Sequence, residues 1–393
     1  MAYSDEQVAL CALNKHFGFH PRAVLKWIEE TGSALALFDA SFAWGADDAS
    51  GKDGPGRPEA SWLDWARREL DEVDRKGFRF LGITDDDYPQ ALRTCEDPPL
   101  GLYLNGSSSP TEIFGLRPMV AFVGTRDVSP YGKAWCRKLV SALADARVQP
   151  CIVSGLAYGA DGVAHRTALE CGLPTIGVMA TGIDAVYPGR HTDLAMDMVR
   201  TPGCALVTDY PLQTAPVALN FVRRNRIIAG LSRAVVVVES KTKGGSLMTA
   251  RYACDYGRDV FAVPGRLDDV RSAGCLSLIA SDMARVVTTA EALAGELGLS
   301  PRPRGAGGSW ATAGSDAPEE VLRALLVRRY GPGSPLVPIG LAVREQRGAT
   351  PEQLASALGL PFPEVLSAIG RLEADGLVST DLLRRCTIAP AYA

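Results

Sequence analysis

The run MVAFVGTR (119–126) is the first of six short apolar segments that each end abruptly in a polar or glycine-rich loop. The others are CIVSGLAYGAD (151–161), TIGVMATG (175–182), ALVTDYP (205–211), AVVVVES (234–240) and DVFAVPG (259–265). They follow one another every 25–30 residues, and alanine- and leucine-rich helical segments fill most of the gaps. Buried strands that alternate with helices at this spacing form parallel sheets. The pattern predicts an α/β fold with a doubly wound, mainly parallel sheet.

The regions on either side of these segments differ from them in composition. Residues 45–61 are rich in Gly, Asp and Pro, which is typical of a loop. Near the C-terminus, two helical patterns are separated by a turn at Gly359–Pro361 and followed by two short strand patterns, an order typical of a winged helix. The chain is thus predicted to have four parts: a helical N-terminal domain (1–76), the α/β core (77–299), a flexible linker (300–317) and a winged-helix domain (318–393).

The composition excludes several classes of protein. Hydrophobic residues make up 47% and charged residues 22% of the 393 residues, which is the balance of a globular protein. No apolar run reaches the roughly 18 residues that a membrane span needs, and MAYSDEQVAL has no signal-peptide pattern, so we expect a cytoplasmic protein without a membrane partner. Nine cysteines without a C-x-x-C pair, and only four histidines, predict neither disulfides nor a metal site.

Charge is concentrated in one segment of an acidic chain. The net charge is 41 − 45 = −4, and residues 1–75 carry 8 bases and 14 acids, a net of −6. Residues 221–258, in contrast, carry 8 bases and 2 acids, a net of +6. This distribution indicates either a local anion-binding site or a solvated basic surface.

The loops that follow the predicted strands contain the chemistry that an anion needs. In a parallel sheet, ligands bind at the carboxyl ends of the strands. GTR (124–126), SGLAYGAD (154–161) and KGGSLMTAR (243–251) place glycines, hydroxyls and cations there, where backbone amides enter helices. Neither a Walker A motif nor a G-x-G-x-x-G motif with its acidic partner is present, so no nucleotide cofactor is predicted. Several such loops along one sheet edge favour a polyanion.

The string FVRRNRIIAGLS (221–232) is the most basic part of the chain, with three arginines and an asparagine ahead of the apolar, helix-like IIAGL. Arginine makes bidentate phosphate contacts and stacks on bases. Phe221 offers either a stacking face for a base or a core side chain.

Four other polar residues have two readings each. Asp161 and His165, four apart at a helix start, predict a local hydrogen bond in preference to an acid–base pair. Asp209 and Glu239 end strands, where they would bind magnesium or a ribose, or else hold the neighbouring arginines.

Taken together, these motifs resemble the DprA/Smf family of bacterial DNA-processing proteins. The matching strings, in the family's order, are FVGTR (122–126), SGLAYGADGVAH (154–165), TGIDAVYP (181–188), FVRRNRIIAGLS (221–232), GGSLMTAR (244–251) and GRDVFAVPG (257–265). The resemblance implies an extended Rossmann-like core that binds single-stranded DNA without sequence preference, forms a homodimer and loads the RecA recombinase during natural transformation. It implies a binding protein without a cofactor or catalytic residues, and HFGFHPR (16–22) loosely resembles a helix-hairpin-helix.

The motifs and the resemblance together give sixteen candidate DNA-binding residues. They are Gly124, Thr125, Arg126, Ser154, Gly155, Ala157, Gly159, Phe221, Arg223, Arg224, Asn225, Arg226, Lys243, Gly245, Ser246 and Thr249. The chain departs from the family pattern in three places. Ala218 stands where some members have a lysine, Val222 stands in place of a proline, and Leu276 stands where a small polar residue is expected.

Two alternatives to a single-strand binding protein follow from the same sequence. Rossmann-like phosphoribohydrolases of the LOG family cleave nucleoside monophosphates, but they carry a P-G-G-x-G-T-x-x-E string, and here GGSLMTARY has no such acid. A transcription factor would read duplex DNA with the second helix of the winged-helix domain. That helix has Arg371 as its one basic residue against Glu364, Glu373 and Asp375, which favours a protein-interaction or regulatory role.

Overall fold

The computed structural model describes most of the chain: residues 3–18, 20–39, 58–115, 117–299, 323, 326–327, 329–346, 349–375, 377–380 and 386–388. The chain divides into two compact units, Met1–Pro301 and Arg302–Ala393. The linker predicted at 300–317, most of the loop predicted at 45–61 and most of the first helix predicted after residue 318 lie outside the described residues. No helix within the described residues is long and apolar enough to cross a membrane.

Three helices begin the first unit: α1 (Asp5–Phe17), α2 (Pro21–Thr31) and α3 (Ala60–Arg75). Local signals determine their ends. Ser4 and Gln7 form a capping box before α1, and Gly32 ends α2 with a φ of 76° that a side chain would disfavour. Leu13 of α1 and Leu70 of α3 are buried in the same apolar cluster as Phe80 of the sheet. These helices therefore pack directly against the sheet.

A nine-stranded sheet forms the centre of this unit. In chain order its strands are β1 (Arg79–Gly82), β2 (Gly101–Asn105), β3 (Met119–Val123), β4 (Cys151–Ser154), β5 (Thr175–Val178), β6 (Ala205–Thr208), β7 (Ala234–Val237), β8 (Asp259–Ala262) and β9 (Arg285–Val286). Their order in the sheet is β1-β2-β6-β5-β4-β3-β7-β8-β9. The seven strands that follow one another in the sheet as β6-β5-β4-β3-β7-β8-β9 are parallel. Strands β1 and β2 are antiparallel additions at one edge. The predicted mixed α/β fold with a mainly parallel sheet is confirmed.

Helices cover both faces of the sheet. The remaining helices of this unit are α4 (Gln90–Arg93), α5 (Pro110–Phe114), α6 (Pro130–Ala144), α7 (Ala160–Glu170), α8 (Thr192–Arg200), α9 (Ala218–Leu231), α10 (Gly245–Asp255), α11 (Ala273–Ala280) and α12 (Ala290–Glu296). Alternate residues of β3 enter different apolar clusters: Ala121 packs in the cluster that contains Ile227 of α9, and Phe122 packs in the one that contains Leu139 of α6. Because both faces are buried, the central strands are mostly apolar.

The second unit contains α13 (Leu336–Glu345), α14 (Pro351–Leu358), α15 (Phe362–Ala374) and the antiparallel strands β10 (Val378–Thr380) and β11 (Cys386–Ile388). Gly359 ends α14 in the left-handed conformation, at the turn that the sequence predicts. Leu354, Val365 and Leu372 belong to a separate apolar core. The assignment of this unit as a winged helix stays a prediction.

The order of the strands locates the binding crevice. From β3 the chain continues to β4, β5 and β6 on one side, and then returns to place β7 on the other side. The loops after β3 and β7 therefore diverge, and a crevice opens between them at the carboxyl ends of the strands.

Candidate nucleic-acid interface

A cavity of about 870 Å³ lies at this crevice, and we call it the switch-point cavity. The loops that follow β3, β4 and β7, together with the start of α9, form its walls. Of the sixteen predicted site residues, eleven line it: Gly124, Thr125, Arg126, Ala157, Phe221, Arg224, Asn225, Lys243, Gly245, Ser246 and Thr249.

The cavity carries an excess of positive charge. Arg126, Lys241 and Lys243 are exposed in its walls, and Arg224 is buried beneath them. Two acids, Asp127 and Asp161, also line the cavity. The four cations and two acids give 4 − 2 = +2, so the cavity favours an anionic ligand. Lys241 was not among the predicted residues, although it belongs to the basic segment.

Two helices begin at the cavity. The first residues of α9 and α10, Ala218 and Gly245, both line it, and within the described chain neither helix has a side-chain hydrogen bond at its N-cap. The amides of a first helical turn have no partner inside the helix, and they attract anions. The Asn225 side-chain amide donates to the Gly245 carbonyl at 3.2 Å and so joins the middle of α9 to the start of α10. This arrangement supplies backbone donors beside the cationic side chains.

Phe221 forms an aromatic part of the wall. Its half-buried ring lies 5.4 Å from the Tyr187 ring at 64°, and the Arg126 guanidinium lies 4.9 Å from its centroid. The Arg126 guanidinium is therefore held against an aromatic face, where cation–π attraction orients it. Tyr187 is exposed and lines the cavity. It was missed as a site residue, although the string TGIDAVYP that contains it was recognised.

Arg224 is a fixed charge in the floor of the cavity. Its Nη1 donates to the Gly155 carbonyl at 2.7 Å and to the Val178 carbonyl. Burial lowers the pKa of Arg224 to about 10, and the neighbouring Asp161 carboxylate opposes that shift. The side chain therefore stays charged at neutral pH. A Cβ on Gly155 would lie 2.6 Å from Nη2 of Arg224, so this glycine is needed for the guanidinium to fit.

Five of the predicted residues do not line the cavity: Ser154, Gly155, Gly159, Arg223 and Arg226. The buried Ser154 hydroxyl donates to the Phe122 carbonyl at 2.5 Å. Gly159 has a φ of 81°, and a Cβ there would lie 2.2 Å from the Thr125 carbonyl oxygen. The loop after β4 thus approaches the loop after β3 closely, and Gly155 and Gly159 leave the space that the cavity wall and floor need.

Arg226 requires a correction to the sequence-based interpretation. Its Nη2 lies 2.7 Å from Oδ2 of Asp209, and both side chains are buried. The guanidinium also donates to the Asp97 and Gly18 carbonyls. Only 6% of its side chain is exposed, and its charge is used inside the protein, so it has little surface to offer to a nucleic acid. We call this group the Arg226 clamp.

The structure also distinguishes between the two interpretations given above for Asp161, His165, Asp209 and Glu239. Asp161 accepts a hydrogen bond from the Ala157 amide at 3.3 Å, and burial raises its pKa. His165 instead pairs with the Thr175 hydroxyl at 2.7 Å, so the predicted Asp161–His165 hydrogen bond is wrong. Glu239 accepts from the Ser129 amide and hydroxyl. Asp209 and Glu239 therefore hold neighbouring groups in place.

His165 predicts a pH dependence of stability. Burial lowers its pKa from 6.5 to about 3. Between these two values the unfolded chain binds a proton that the folded protein does not, so the free energy of unfolding falls as the pH is lowered, by up to about 1.4 kcal/mol per pH unit. Urea unfolding at about pH 7.5 and pH 5 should show a smaller difference in His165→Gln than in the wild type. His20→Gln, at an exposed histidine, is the control. The prediction would be contradicted if the free energy of unfolding changed equally between the two pH values in His165→Gln and in the wild type.

A family profile and individual relatives of known name both match this chain. The sequence profile of the DNA recombination-mediator protein A family matches residues 79–298. Protein Smf of Escherichia coli is 33% identical over 82% of this chain and 82% of its own length. Protein Smf of Synechocystis is 40% identical over 59% of this chain, which spans 57% of the length of that relative.

Two solved structures resemble the fold. DNA processing protein A (DprA) from Streptococcus pneumoniae is 30% identical, with a TM-score of 0.59 over 75% of this chain and 99% of the other. DNA processing protein A from Helicobacter pylori, whose single-stranded DNA binding mode has been described, is 28% identical, with a TM-score of 0.50 over 56% of this chain and 95% of the other. From the profile match and the alignment with the E. coli protein, the chain belongs to the DprA/Smf family.

Proposed function

We propose that this protein binds single-stranded DNA, without regard to base sequence, in the switch-point cavity. The observation that carries the proposal is the combination found in one cavity: exposed cations, two helix N-termini without side-chain caps, and an aromatic ring with a guanidinium against its face. Phosphates match the cations and the backbone amides. Bases match the aromatic face, and such stacking tolerates any base.

The relatives support this choice of ligand. The H. pylori structure concerns a protein of this family that binds single-stranded DNA. We further propose, from the family resemblance, that the protein forms a homodimer and loads the RecA recombinase onto the bound strand during natural transformation. In this role the protein has no catalytic turnover. The C-terminal unit, whose α15 carries Glu364 and Glu373 beside Arg371, is proposed as a protein-interaction or regulatory winged helix.

The first test compares single-stranded with duplex DNA. Fluorescence anisotropy of a labelled oligo(dT) and of the matched duplex is measured over a salt series. We expect tighter binding of the single strand. Lys243→Ala removes one exposed cation from the cavity wall, so it should make the slope of log K against log salt shallower by about 0.7. Lys138→Ala is the matched control, because Lys138 lies over the Trp135 ring and does not line the cavity.

Two results would contradict the proposal. Equal affinity for the single strand and the duplex would show that the cavity does not select unpaired bases. Equal salt slopes for Lys243→Ala, Lys138→Ala and the wild type would place the phosphates elsewhere. If no oligonucleotide binds and AMP is cleaved to adenine and ribose 5-phosphate, the LOG-type enzyme becomes the better reading.

A further inference from the structure

A second cavity, of about 670 Å³, lies between the N-terminal helices and the segment that connects β6 to α9. We call it the α3 cavity. Lys15 of α1 and Trp65 and Arg68 of α3 form one wall, and Tyr210 and Gln213 belong to the other. We propose that the α3 cavity binds a further nucleotide of the same single strand that occupies the switch-point cavity. This inference rests on the proposed function and extends it to a second subsite.

Two cations in this cavity can contact a phosphate, although two glutamates in its lining bring the net charge to 2 − 2 = 0. Nζ of Lys15 lies 3.6 Å from the centroid of the Trp65 ring, and Arg68 is exposed on α3. No ion pair within the described residues involves Lys15 or Arg68, although the Glu69 carboxylate attracts Lys15 and opposes the lowering of its pKa by burial. Glu69 and Glu72 also line the cavity, and each has a hydrogen-bond or ion-pair partner within the protein. Arg68 is therefore available to an anionic ligand, and Lys15 is shared between that ligand and the Glu69 carboxylate.

The contacts of the two glutamates are within the protein. Oε1 of Glu69 accepts a hydrogen bond from the Leu212 amide at 2.7 Å. Oε1 of Glu72 lies 2.6 Å from Nη2 of Arg75 and 3.5 Å from Nζ of Lys76. Glu72 is thus paired with Arg75 on its own helix and with Lys76, which also lies 3.1 Å from Oδ2 of Asp184. Glu69 fixes the β6–α9 segment to α3, which keeps the cavity wall in place.

The aromatic residues of α3 provide a stacking surface. Trp62 and Trp65 are three residues apart, so they lie on neighbouring positions of one helix face. The His16 ring already stacks on Trp62, with 3.6 Å between the ring centroids and 4° between the planes. Trp65 is partly exposed and lines the cavity beside Lys15. A heteroaromatic ring is thus accommodated on this helix face, and a base is a ring of the same kind.

One segment of chain, residues 210–221, contributes to the walls of both cavities, so a single ligand can pass from one cavity to the other. Residues 210–214 and Asn220 line the α3 cavity, whereas Pro216, Ala218 and Phe221 line the switch-point cavity. Asn220 and Phe221 are consecutive residues in the first turn of α9. A strand that leaves the switch-point cavity over this turn meets the α3 cavity next. The proposed ligand is therefore a longer single strand and not a separate nucleotide.

The test compares oligonucleotide lengths in the full chain. Anisotropy is measured with oligo(dT) of about 6 nucleotides, which fills one cavity, and of about 20 nucleotides, which spans both. We expect Trp65→Ala and Arg68→Ala to weaken binding of the long oligonucleotide roughly five- to tenfold and to leave binding of the short one unchanged. Two matched controls should behave as the wild type: Trp135→Ala, which removes another tryptophan under a lysine, and Arg67→Ala, which removes an arginine paired with Asp5 and Asp64.

The outcomes separate the two proposals. If the wild type binds neither length, the proposed function fails. If the wild type binds both lengths and the Arg68→Ala and Trp65→Ala variants match it with the long oligonucleotide, the α3 subsite is disproved while the proposed function stands. Because Trp65 contacts the apolar core, Trp65→Phe serves as a second, folded variant. It should retain most of the affinity for the long strand, since it keeps a stacking ring.

Discussion

Replacing Arg226 with alanine is expected to lower the free energy of unfolding by about 3–5 kcal/mol, because the change leaves a buried carboxylate without its partner. Asp209 lies 2.7 Å from the guanidinium, and both side chains are 6% exposed. The Asp97 and Gly18 carbonyls also lose a donor. The effect on DNA binding should be indirect: the salt slope stays that of the wild type, because no phosphate contact is lost.

Urea unfolding measures this difference, and Arg251→Ala, an exposed arginine on α10, is the control. The double variant Arg226→Met/Asp209→Leu should cost less than Arg226→Ala, since it removes both buried charges together. An Arg226→Ala protein of wild-type stability with a shallower salt slope would refute the clamp. It would restore Arg226 as a phosphate contact.

Replacing Phe221 with alanine is expected to weaken single-strand binding by about 1–3 kcal/mol, which is the usual contribution of one base–aromatic stack. The change also removes the surface that orients Arg126, whose guanidinium lies 4.9 Å from the ring centroid. Phe221→Ala and Arg126→Ala should therefore not be additive. The double variant should lose less affinity than the sum of the single variants, because each single change already disturbs the other residue.

A double-mutant cycle of oligo(dT) affinities measures this coupling. Tyr131→Ala provides the control, since Tyr131 is an exposed aromatic residue outside the cavity lining. Strict additivity of Phe221→Ala and Arg126→Ala would show that the two side chains act independently. It would then follow that the guanidinium reaches its phosphate without support from the ring.

The parallel sheet was predictable because strands buried on both faces consist mainly of apolar residues, which are visible in the sequence. Each of the six predicted strands appears as a short, nearly continuous apolar run that leads into a polar or glycine-rich loop. The additions β1 and β2 were not predicted as parts of the same sheet, because antiparallel pairing with β6 depends on contacts distant in sequence. Eleven of the sixteen candidate residues line the cavity because the loops that follow parallel strands all lie at the same edge of the sheet, where the crevice opens.

The prediction that Arg226 binds DNA failed for a specific reason. The sequence pattern places FVRRNR ahead of a helix, whereas α9 already begins at Ala218. Residues two apart in a helix point in nearly opposite directions, about 200° apart. Arg224 consequently enters the cavity floor while Arg226 points to Asp209. The correct partner could not be predicted, since Asp209 and Asp97 are distant in sequence.

The α3 cavity escaped prediction for a related reason. Lys15, Trp65 and Tyr210 come from three separate segments, and no local motif joins them. The acidic balance of residues 1–75 also pointed away from a nucleic acid there. Net charge cannot show that Glu69 and Glu72 are engaged with neighbouring groups. Only the folded arrangement separates the engaged acids from the available cations.

The Arg226 clamp has a consequence for the rate at which a ligand associates. It connects the middle of α9 to β6, to the segment that contains Asp97 and to the end of α1 at Gly18. The first two turns of α9, which carry Phe221 and Arg224, are therefore held in their binding geometry before a ligand arrives. Such preorganisation lowers the conformational entropy lost on association. Encounter is then governed by diffusion and by the positive field of the cavity, so ionic strength acts mainly on the association rate.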